Sequence, residues 1–521
     1  MKNSKEKKYY IILIIILAVG IITRIIGFGQ IPKGINVDEA GTMYDAYCIA
    51  NYGTDRFENP YPVYMINYGG GQSALYTYLA AIFIKIFGFN ITAVRLPALI
   101  FSIIYMIFAF LLTKDFKNKK VAILVEFLIA IVPWHFMQSR WALDCNLMSA
   151  MMLISIYALI KAKRKAGFIL AGILFGITLY SYALSYIVIP IFLIVLLAYM
   201  IYAKKIKISQ IICLFIPIVI LAIPLILNLL VNAGIIPEIK LSWISILKMW
   251  EFRSNEITIS NIGTNLIEFV KSMFAFDRNN YNAFPQFGTL YYISIPFAVI
   301  GMWQSIQSLR KDFKEKKISA DLIMAIIFIS VFILGLFIEP GINRINAIYI
   351  SLIYYTALGI AYIIQRKKYV GIIIISAYTL VFIVFLWYYF NIYPKDERNR
   401  AFNSTTIEVV KYIESEEKFD NKYISMRTDA VQSYIYTLIA NETPPDEFNE
   451  DAVIDKNVFH YGRYLFYYDI INNNVIYVLE YDEPLKDELL ENGFTAEKFN
   501  DDITIYYKEW HDFYKSHSKN V

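Results

Sequence analysis

The sequence predicts a polytopic α-helical membrane protein, with about eleven transmembrane helices over residues 1–390 and a C-terminal extracytoplasmic α/β domain over residues 391–521. Three observations carry that expectation. Hydrophobic residues make up 57% of the 521 and charged residues only 18%, with a mean hydropathy of +0.47, a balance unsuited to a soluble surface. Apolar runs of the roughly 20 residues needed to cross a bilayer recur throughout residues 1–390. The charge is also partitioned: residues 391–521 hold 26 Asp+Glu against 14 Lys+Arg, so the formal +5 is −12 in the tail and +17 ahead of it.

Taken in order, the spans read at 9–28, 95–113, 119–134, 146–161, 167–182, 183–201, 209–231, 286–307, 319–338, 345–365 and 369–390. The first follows Lys2, Lys5, Lys7 and Lys8, and no small-residue cleavage site precedes Gly29, so it reads as a retained signal anchor. Lys and Arg beside span ends are retained in the cytoplasm. Six segments, 2–8, 114–120, 161–165, 204–207, 310–317 and 366–368, carry 23 of the 49 Lys+Arg. They share one side of the membrane only if the apolar stretch Leu75–Gly88 does not span. That stretch is therefore expected to lie in the outer interface, with Lys85 reaching water. The N-terminus is then cytoplasmic and the C-terminal domain extracytoplasmic. Heavy use of Ile, Lys, Asn and Tyr resembles proteins of AT-rich bacterial genomes, which points to a bacterial cell membrane. Glu126, inside the third span, is expected to snorkel to the cytoplasmic end.

Three long segments fall outside: 29–94, 232–285 and 391–521. In the last, Pro394 marks a boundary, Ser404–Ser415 has a helical pattern, and Tyr423–Met426, Val475–Leu479 and Ile503–Lys508 are strand-like. The acidic tail suits either a solvated cap over a cavity or acceptor recognition. Three Cys without a CxxC pair, four His and no HExxH exclude a disulfide scaffold, a structural zinc module and a zincin. Without a P-loop or Rossmann fingerprint, a nucleotide donor has no obvious seat. Nucleic acid is not an expected partner, because the charge partition is a statement of topology.

The first outer loop runs Gly34-Ile-Asn-Val-Asp-Glu-Ala-Gly-Thr. Asn36 with Glu39 three residues later predicts a helix from Asn36 to about Ala50. Asp38 sits in its first turn, where the helix dipole favours the ionised form, and Asp45 lies seven residues along the same face. These acids either start and solvate the helix or stand at headgroup depth as chemistry. Tyr68-Gly-Gly-Gly-Gln72 is either a flexible turn or a phosphate-approaching loop. Arg140 lies four residues ahead of Asp144, so it either pairs locally or meets an anion. Arg344 in Glu339-Pro-Gly-Ile-Asn-Arg-Ile-Asn346 either anchors a span end or binds phosphate bidentately. Arg95 is expected to be structural, and His135, beside Trp134 at a span end, is given no role.

Asp38-Glu39 after the first span, then Tyr76-Thr-Tyr-Leu-Ala-Ala-Ile-Phe and Phe87-Gly-Phe-Asn-Ile-Thr-Ala-Val-Arg-Leu-Pro97, resemble the polyprenyl-phosphate-dependent glycosyltransferases of the GT-C fold. The pattern is similar to glycosyltransferase family 39, which includes the protein O-mannosyltransferases and lipid A aminoarabinose transferases. The motifs concentrate in residues 36–146, and the tail has no clear counterpart in the aminoarabinose enzymes. The resemblance implies Asp38 as catalytic base beside Glu39. It also implies that Asp144 is a second acid facing the same cavity, the two sharing an optional divalent cation. Arg140 and Arg344 are then expected to meet the lipid phosphate.

The function expected is transfer of one sugar, hexose or pentose, from a polyprenyl-phosphate donor to a hydroxyl of an envelope glycan, lipid or protein at the outer face. A secondary transporter would gather ionisable residues near the midplane, and a non-catalytic envelope scaffold would need no such acids.

Overall fold

The computed structural model describes residues 2–508, except 69, 252–255, 257–259, 275–282, 397, 398, 400, 429–431, 456, 467, 469 and 481–483; the last residues of the tail, 509–521, lie outside that range. Helix α1 (Lys2–Ile25) opens the chain. The segment after it folds as α2 (Val37–Tyr52), the hairpin β1 (Tyr64–Met65) with β2 (Gln72–Ser73), and α3 (Ala74–Phe87). After α4 (Ile91–Phe116) and α5 (Lys119–Ile131), Val132 is extended ahead of Pro133, as a residue before proline prefers to be. The chain therefore restarts as the short α6 (Pro133–Gln138). It continues through α7 (Cys145–Lys161), α8 (Lys165–Leu179), α9 (Ser185–Tyr202) and α10 (Ile208–Asn232). The hairpin β3 (Ile239–Leu241) with β4 (Ile244–Ile246) and helix α11 (Ile262–Phe274) follow α10. Helices α12 (Ser294–Glu315), α13 (Ala320–Phe337), α14 (Tyr349–Arg366) and α15 (Lys368–Asn391) complete this part.

Among the described residues, seven helical stretches are long and apolar enough to cross a membrane: Glu6–Ile25, Ile91–Phe116, Ser185–Tyr202, Ile208–Asn232, Ala320–Phe337, Asn346–Arg366 and Lys368–Lys395. Ala74–Phe87, Cys145–Lys161 and Lys165–Leu179 are shorter apolar helices. The other two spans read from sequence fall on α5 with α6, split at Pro133, and on α12. That helix begins at Ser294, eight residues later than the sequence reading, and carries the basic run 310–315 on its last turns. Helices α12 and α14 approach backbone to backbone where Gly301 faces the carbonyl of Tyr355 and Gly359 faces that of Phe297, so a Cβ at either glycine has no room.

Glu126 departs from expectation. It is fully buried in α5, and neither carboxylate oxygen has a hydrogen-bond partner among the described residues, so it does not snorkel. The face of α5 that carries it also carries the buried Ala122, Val125 and Ile129 and points into the bundle.

The tail forms α16 (Thr405–Ser415), β5 (Tyr423–Arg427), α17 (Ser433–Asn441), α18 (Pro445–Asp451), β6 (Val453–Ile454), β7 (Val458–Tyr461), β8 (Tyr464–Phe466), β9 (Val475–Glu480), α19 (Leu485–Glu491), β10 (Thr495–Lys498) and β11 (Ile503–Tyr507). These strands make one mixed sheet in the order β10-β11-β9-β5-β8-β7-β6. The central pairs β9–β5 and β5–β8 are parallel, and the flanking pairs are antiparallel. Strand β9 is buried along its whole length, as a central strand covered on both faces must be. One hydrophobic core runs through the helical bundle. A second joins Ile35, Met43 and Tyr44, in and just ahead of α2, to Val409, Ile424, Tyr434 and Ile435 of the tail, and α17 packs directly on α2.

Candidate active site

The first turn of α2 is built from its N-cap. Asn36 is extended, and its side-chain oxygen accepts the N–H of Asp38 at 3.1 Å. The helix starts where the spacing predicts, but the reciprocal half of the capping box is not made, because Glu39 turns to Arg95 instead. Arg95 Nε and Nη2 donate to the two Glu39 carboxylate oxygens, each at 2.7 Å, and the Ala142 N–H donates to the same carboxylate at 2.7 Å. Both side chains are 0% exposed. Arg95 also donates to the carbonyls of Pro32 and Gly34. The expected structural role of Arg95 thus takes a specific form: it ties α4 to the start of α2. The hold of α3 on α4 falls to Tyr76, whose hydroxyl donates to the Val94 carbonyl and accepts the Ala98 N–H.

Asp38 differs from its neighbour in being half-buried. Its backbone carbonyl accepts from Gln72 Nε2 at 3.2 Å. Gln72 Oε1 accepts from Thr42 Oγ1 at 3.0 Å and Asn67 Nδ2 at 2.7 Å, so the β1–β2 hairpin is fixed against α2. Gly70 and Gly71 lie between its strands, Gly71 at φ +79°, and Gly69 is outside the described residues. The hairpin presents the Ser73 N–H to Asp144 Oδ2 at 3.1 Å, while Asp144 Oδ1 accepts the Cys145 N–H at 2.7 Å at the head of α7. Asp144 is thus locked in orientation by two backbone donors. Gln72, which donates to the Asp38 carbonyl, and Ser73, which donates to Asp144, are consecutive residues, so one strand of the hairpin links the two acidic positions. From the tail, Tyr436 of α17 donates its hydroxyl to the Ile35 carbonyl at 3.3 Å, just ahead of α2, and burial, followed by the fields of Glu39 and Asp38, raises its phenol above the ordinary range.

The two arginines are placed differently. Arg140 is buried against the rings of Phe136, Tyr389 and Phe390. Its Nε donates to Ile31 O at 3.1 Å and its Nη1 to the carbonyls of Thr23 and Arg24, whereas Nη2 has no hydrogen-bond partner among the described residues. Arg344 is 32% exposed, pairs with Glu256 at 3.0 Å and donates to the Glu339 carbonyl. Asp45 takes no part in this centre. It is buried against Arg56, which donates to it from Nε, Nη2 and its backbone N–H.

Sequence reasoning missed Gln72, Ser73 and Asn346. Asn346 Nδ2 donates to the Cys145 carbonyl at 2.5 Å, and its Oδ1 accepts from Ser149. Gln72 closes the glycine run and Asn346 closes the Arg344 loop, so a polar residue at the end of each loop was the available signal. His135 is also more engaged than expected: its Nδ1 accepts from Arg24 Nη2 at 2.8 Å, and its ring stacks on Tyr105. Among the described residues, no three His, Cys, Asp or Glu side chains gather as a metal cluster. The two carboxylates alone offer hard oxygen ligands of the kind that Mg²⁺ accepts alongside water and phosphate.

Residues 72–228 match the family described as dolichyl-phosphate-mannose-protein mannosyltransferase. Arg140 and Asp144 lie inside the matched segment, Asp38 and Glu39 ahead of it, and Arg344 beyond it. No curated protein matches the chain by sequence. Among solved structures, the chain has the fold of ArnT from Cupriavidus metallidurans, solved bound to undecaprenyl phosphate. The TM-score is 0.52 at 9% identity, over 95% of this chain and 97% of that one. The oligosaccharyltransferase AglB from Archaeoglobus fulgidus, solved with an inhibitory peptide and a dolichol-phosphate, aligns at a TM-score of 0.47 and 14% identity over 84% of this chain. This chain spans 64% of the AglB length.

Proposed function

We propose that this chain, which carries the mannosyltransferase family pattern across residues 72–228 on the fold of ArnT, transfers a sugar from a polyprenyl-phosphate donor to an acceptor hydroxyl at the outer face of a bacterial cell membrane. The sugar is a hexose or pentose, and the acceptor an envelope glycan, lipid or protein. Eleven spans with a cytoplasmic N-terminus and an extracytoplasmic tail place the acidic centre outside. That arrangement counts α5 with α6, α7, α8 and α12 as spans beside the seven long helices and leaves α3 in the interface.

The single observation that supports this reading most is the unequal treatment of three acids. Glu39 is fully buried in its pair with Arg95 and Asp144 is buried at the head of α7, whereas Asp38, in the first turn of α2, keeps partial access to solvent. Asp38 is suited to accept the acceptor's proton as its oxygen attacks the anomeric carbon from the face opposite the phosphate. The bond from anomeric carbon to phosphate oxygen breaks, and the lipid phosphate departs with the electron pair. Arg344, within reach of solvent, and Nη2 of Arg140 are the donors available to that growing charge. Asp144 orients the acceptor. With Asp38 it would also hold a divalent cation, which would supply further charge neutralisation at the leaving phosphate. Glu39 holds the start of α2 through Arg95 and keeps the base in place.

One observation favours a secondary transporter instead: Glu126, buried in the bundle with no hydrogen-bond partner among the described residues. The two readings separate with the purified full chain, a panel of undecaprenyl-phosphate hexoses and pentoses, and a membrane extract as acceptor, with release of undecaprenyl phosphate followed. Asp38→Asn is expected to lower release by about 100-fold or more, the range for loss of a general base. Release by D38N at the native rate would remove Asp38 from its role, and no release by the native chain from any donor would overturn the transferase reading.

A further inference from the structure

We infer that Asn399, Asn403 and Tyr436 of the tail are positioning residues for Asp38, acting through the backbone strap 31–36 that leads into α2. This inference rests on the transferase reading. Its observation is that five consecutive carbonyls are all claimed by distant partners. The Ile31 carbonyl accepts from Arg140 and Tyr389, and those of Pro32 and Gly34 accept from Arg95. The Lys33 carbonyl accepts from Asn399 Nδ2 at 3.2 Å, and the Ile35 carbonyl from the Asn403 N–H at 2.9 Å and Tyr436 Oη at 3.3 Å. The strap returns three donors: Lys33 N–H to Asn399 Oδ1, Ile35 N–H to the Asn403 carbonyl, and Asn36 Nδ2 to the Ala401 carbonyl.

The partners come from two sides. Arg95, Arg140 and Tyr389 come from the helical bundle, and Asn399, Asn403 and Tyr436 come from the tail. A loop usually spends its carbonyls on water or on itself. One with all of them committed to two separate bodies is fixed by both. Gly34 marks how close the tail lies, since at φ +85° a Cβ there would stand 2.5 Å from the Phe402 carbonyl oxygen and 2.6 Å from the backbone of Asn403 and Ser404. The tail also grips the middle of α2: Tyr44 Oη donates to the Thr443 carbonyl at 2.6 Å and Tyr47 Oη to that of Glu442 at 3.0 Å. Asp38 lies two residues beyond the strap, on a helix held from both directions. The tail thus completes the site by fixing where the base stands. Displacement of a reacting group by about 1 Å costs on the order of 100-fold in rate, so partial loss of the tail-side contacts is read in turnover.

The test uses the full chain in detergent with undecaprenyl-phosphate hexoses as donors. The double variant Asn399→Ala with Tyr436→Phe is expected to lower kcat for release about tenfold or more, with the donor KM within about twofold. Amide exchange at residues 37–40 should rise while 424–427 and 475–480 in the sheet stay protected. Gly34→Ala is expected to do the same more strongly, and if it does not fold, the double variant decides. Unchanged kcat, unchanged exchange at 37–40, or a raised acceptor KM at native kcat would each overturn the inference, the last in favour of recognition. Because exchange is read without turnover, it judges the strap even where D38N or the native chain has already overturned the transferase reading.

Discussion

Glu39 and Arg95 face each other across two hydrogen bonds of 2.7 Å, both side chains fully buried, one in the first turn of α2 and the other at the head of α4. Removing one partner of such a pair leaves an uncompensated buried charge, which costs about 3–5 kcal/mol. Arg95→Ala is therefore expected to unfold the detergent-solubilised protein many degrees earlier, measured by thermal denaturation. Arg95→Lys should recover little of the loss, because an ammonium cannot reproduce the two-pronged contact or reach the Pro32 and Gly34 carbonyls together.

Asp144 offers a milder lesion. Its two oxygens accept the Ser73 and Cys145 N–H groups, so Asp144→Asn keeps one acceptor and most of the local geometry while removing the charge. Release of undecaprenyl phosphate is expected to fall at least about tenfold, and stability by about 1–3 kcal/mol for the one N–H that loses its acceptor. Asp144→Ala is expected to cost more stability, because both N–H groups are left without an acceptor.

Arg344 is the accessible cation of the proposed site, and its ion pair with Glu256 is partly solvated. Arg344→Gln is expected to leave the melting temperature in place and to raise the donor KM about tenfold or more, the scale of a lost hydrogen bond to a charged group. A KM unchanged from the native value would remove Arg344 from the donor site.

Burial and then the negative field of Asp45 push the Asp55 carboxyl up to about 7, from 3.8, against the donors that Asn59 and Phe57 supply. An acid whose folded pKa is raised contributes stability that is fully present below its unfolded value and is lost as pH rises through the folded one. The native protein should therefore lose thermal stability between about pH 4 and pH 7 through this group. Asp55→Asn should flatten that part of the profile, measured as midpoints at pH 5 and pH 8.

Much of this architecture was legible in the sequence because it is written in local periodicity. The start of α2 at Asn36, the helix at Thr405–Ser415 and the strands at Tyr423, Val475 and Ile503 all follow from spacing within a dozen residues. The candidate site was legible only as a set of residue types. That Glu39 would spend its charge on Arg95, 56 residues away, depends on how two helices cross, which no window reveals. Glu126 misled for a related reason: its distance from a span end suggested snorkelling, but the direction of its helix face is set by packing against the bundle. The tail contacts of the strap were the least readable, since Lys33 and Asn399 are 366 residues apart, the first in a bend and the second in a short 3-10 turn.

That separation has a consequence in time. A ribosome adding about 5–20 residues per second releases residues 31–36 roughly 20–70 seconds before it reaches Asn399 and Asn403. Within that interval Arg95 and Arg140 become available to the strap, while Tyr389 comes only at its end and the tail-side partners do not yet exist. The helix bearing Asp38 therefore waits, held by one hand, until the last quarter of the chain has been made and delivered to the same face. A chain interrupted before that point carries every acid of the proposed site and lacks the contacts that set their positions.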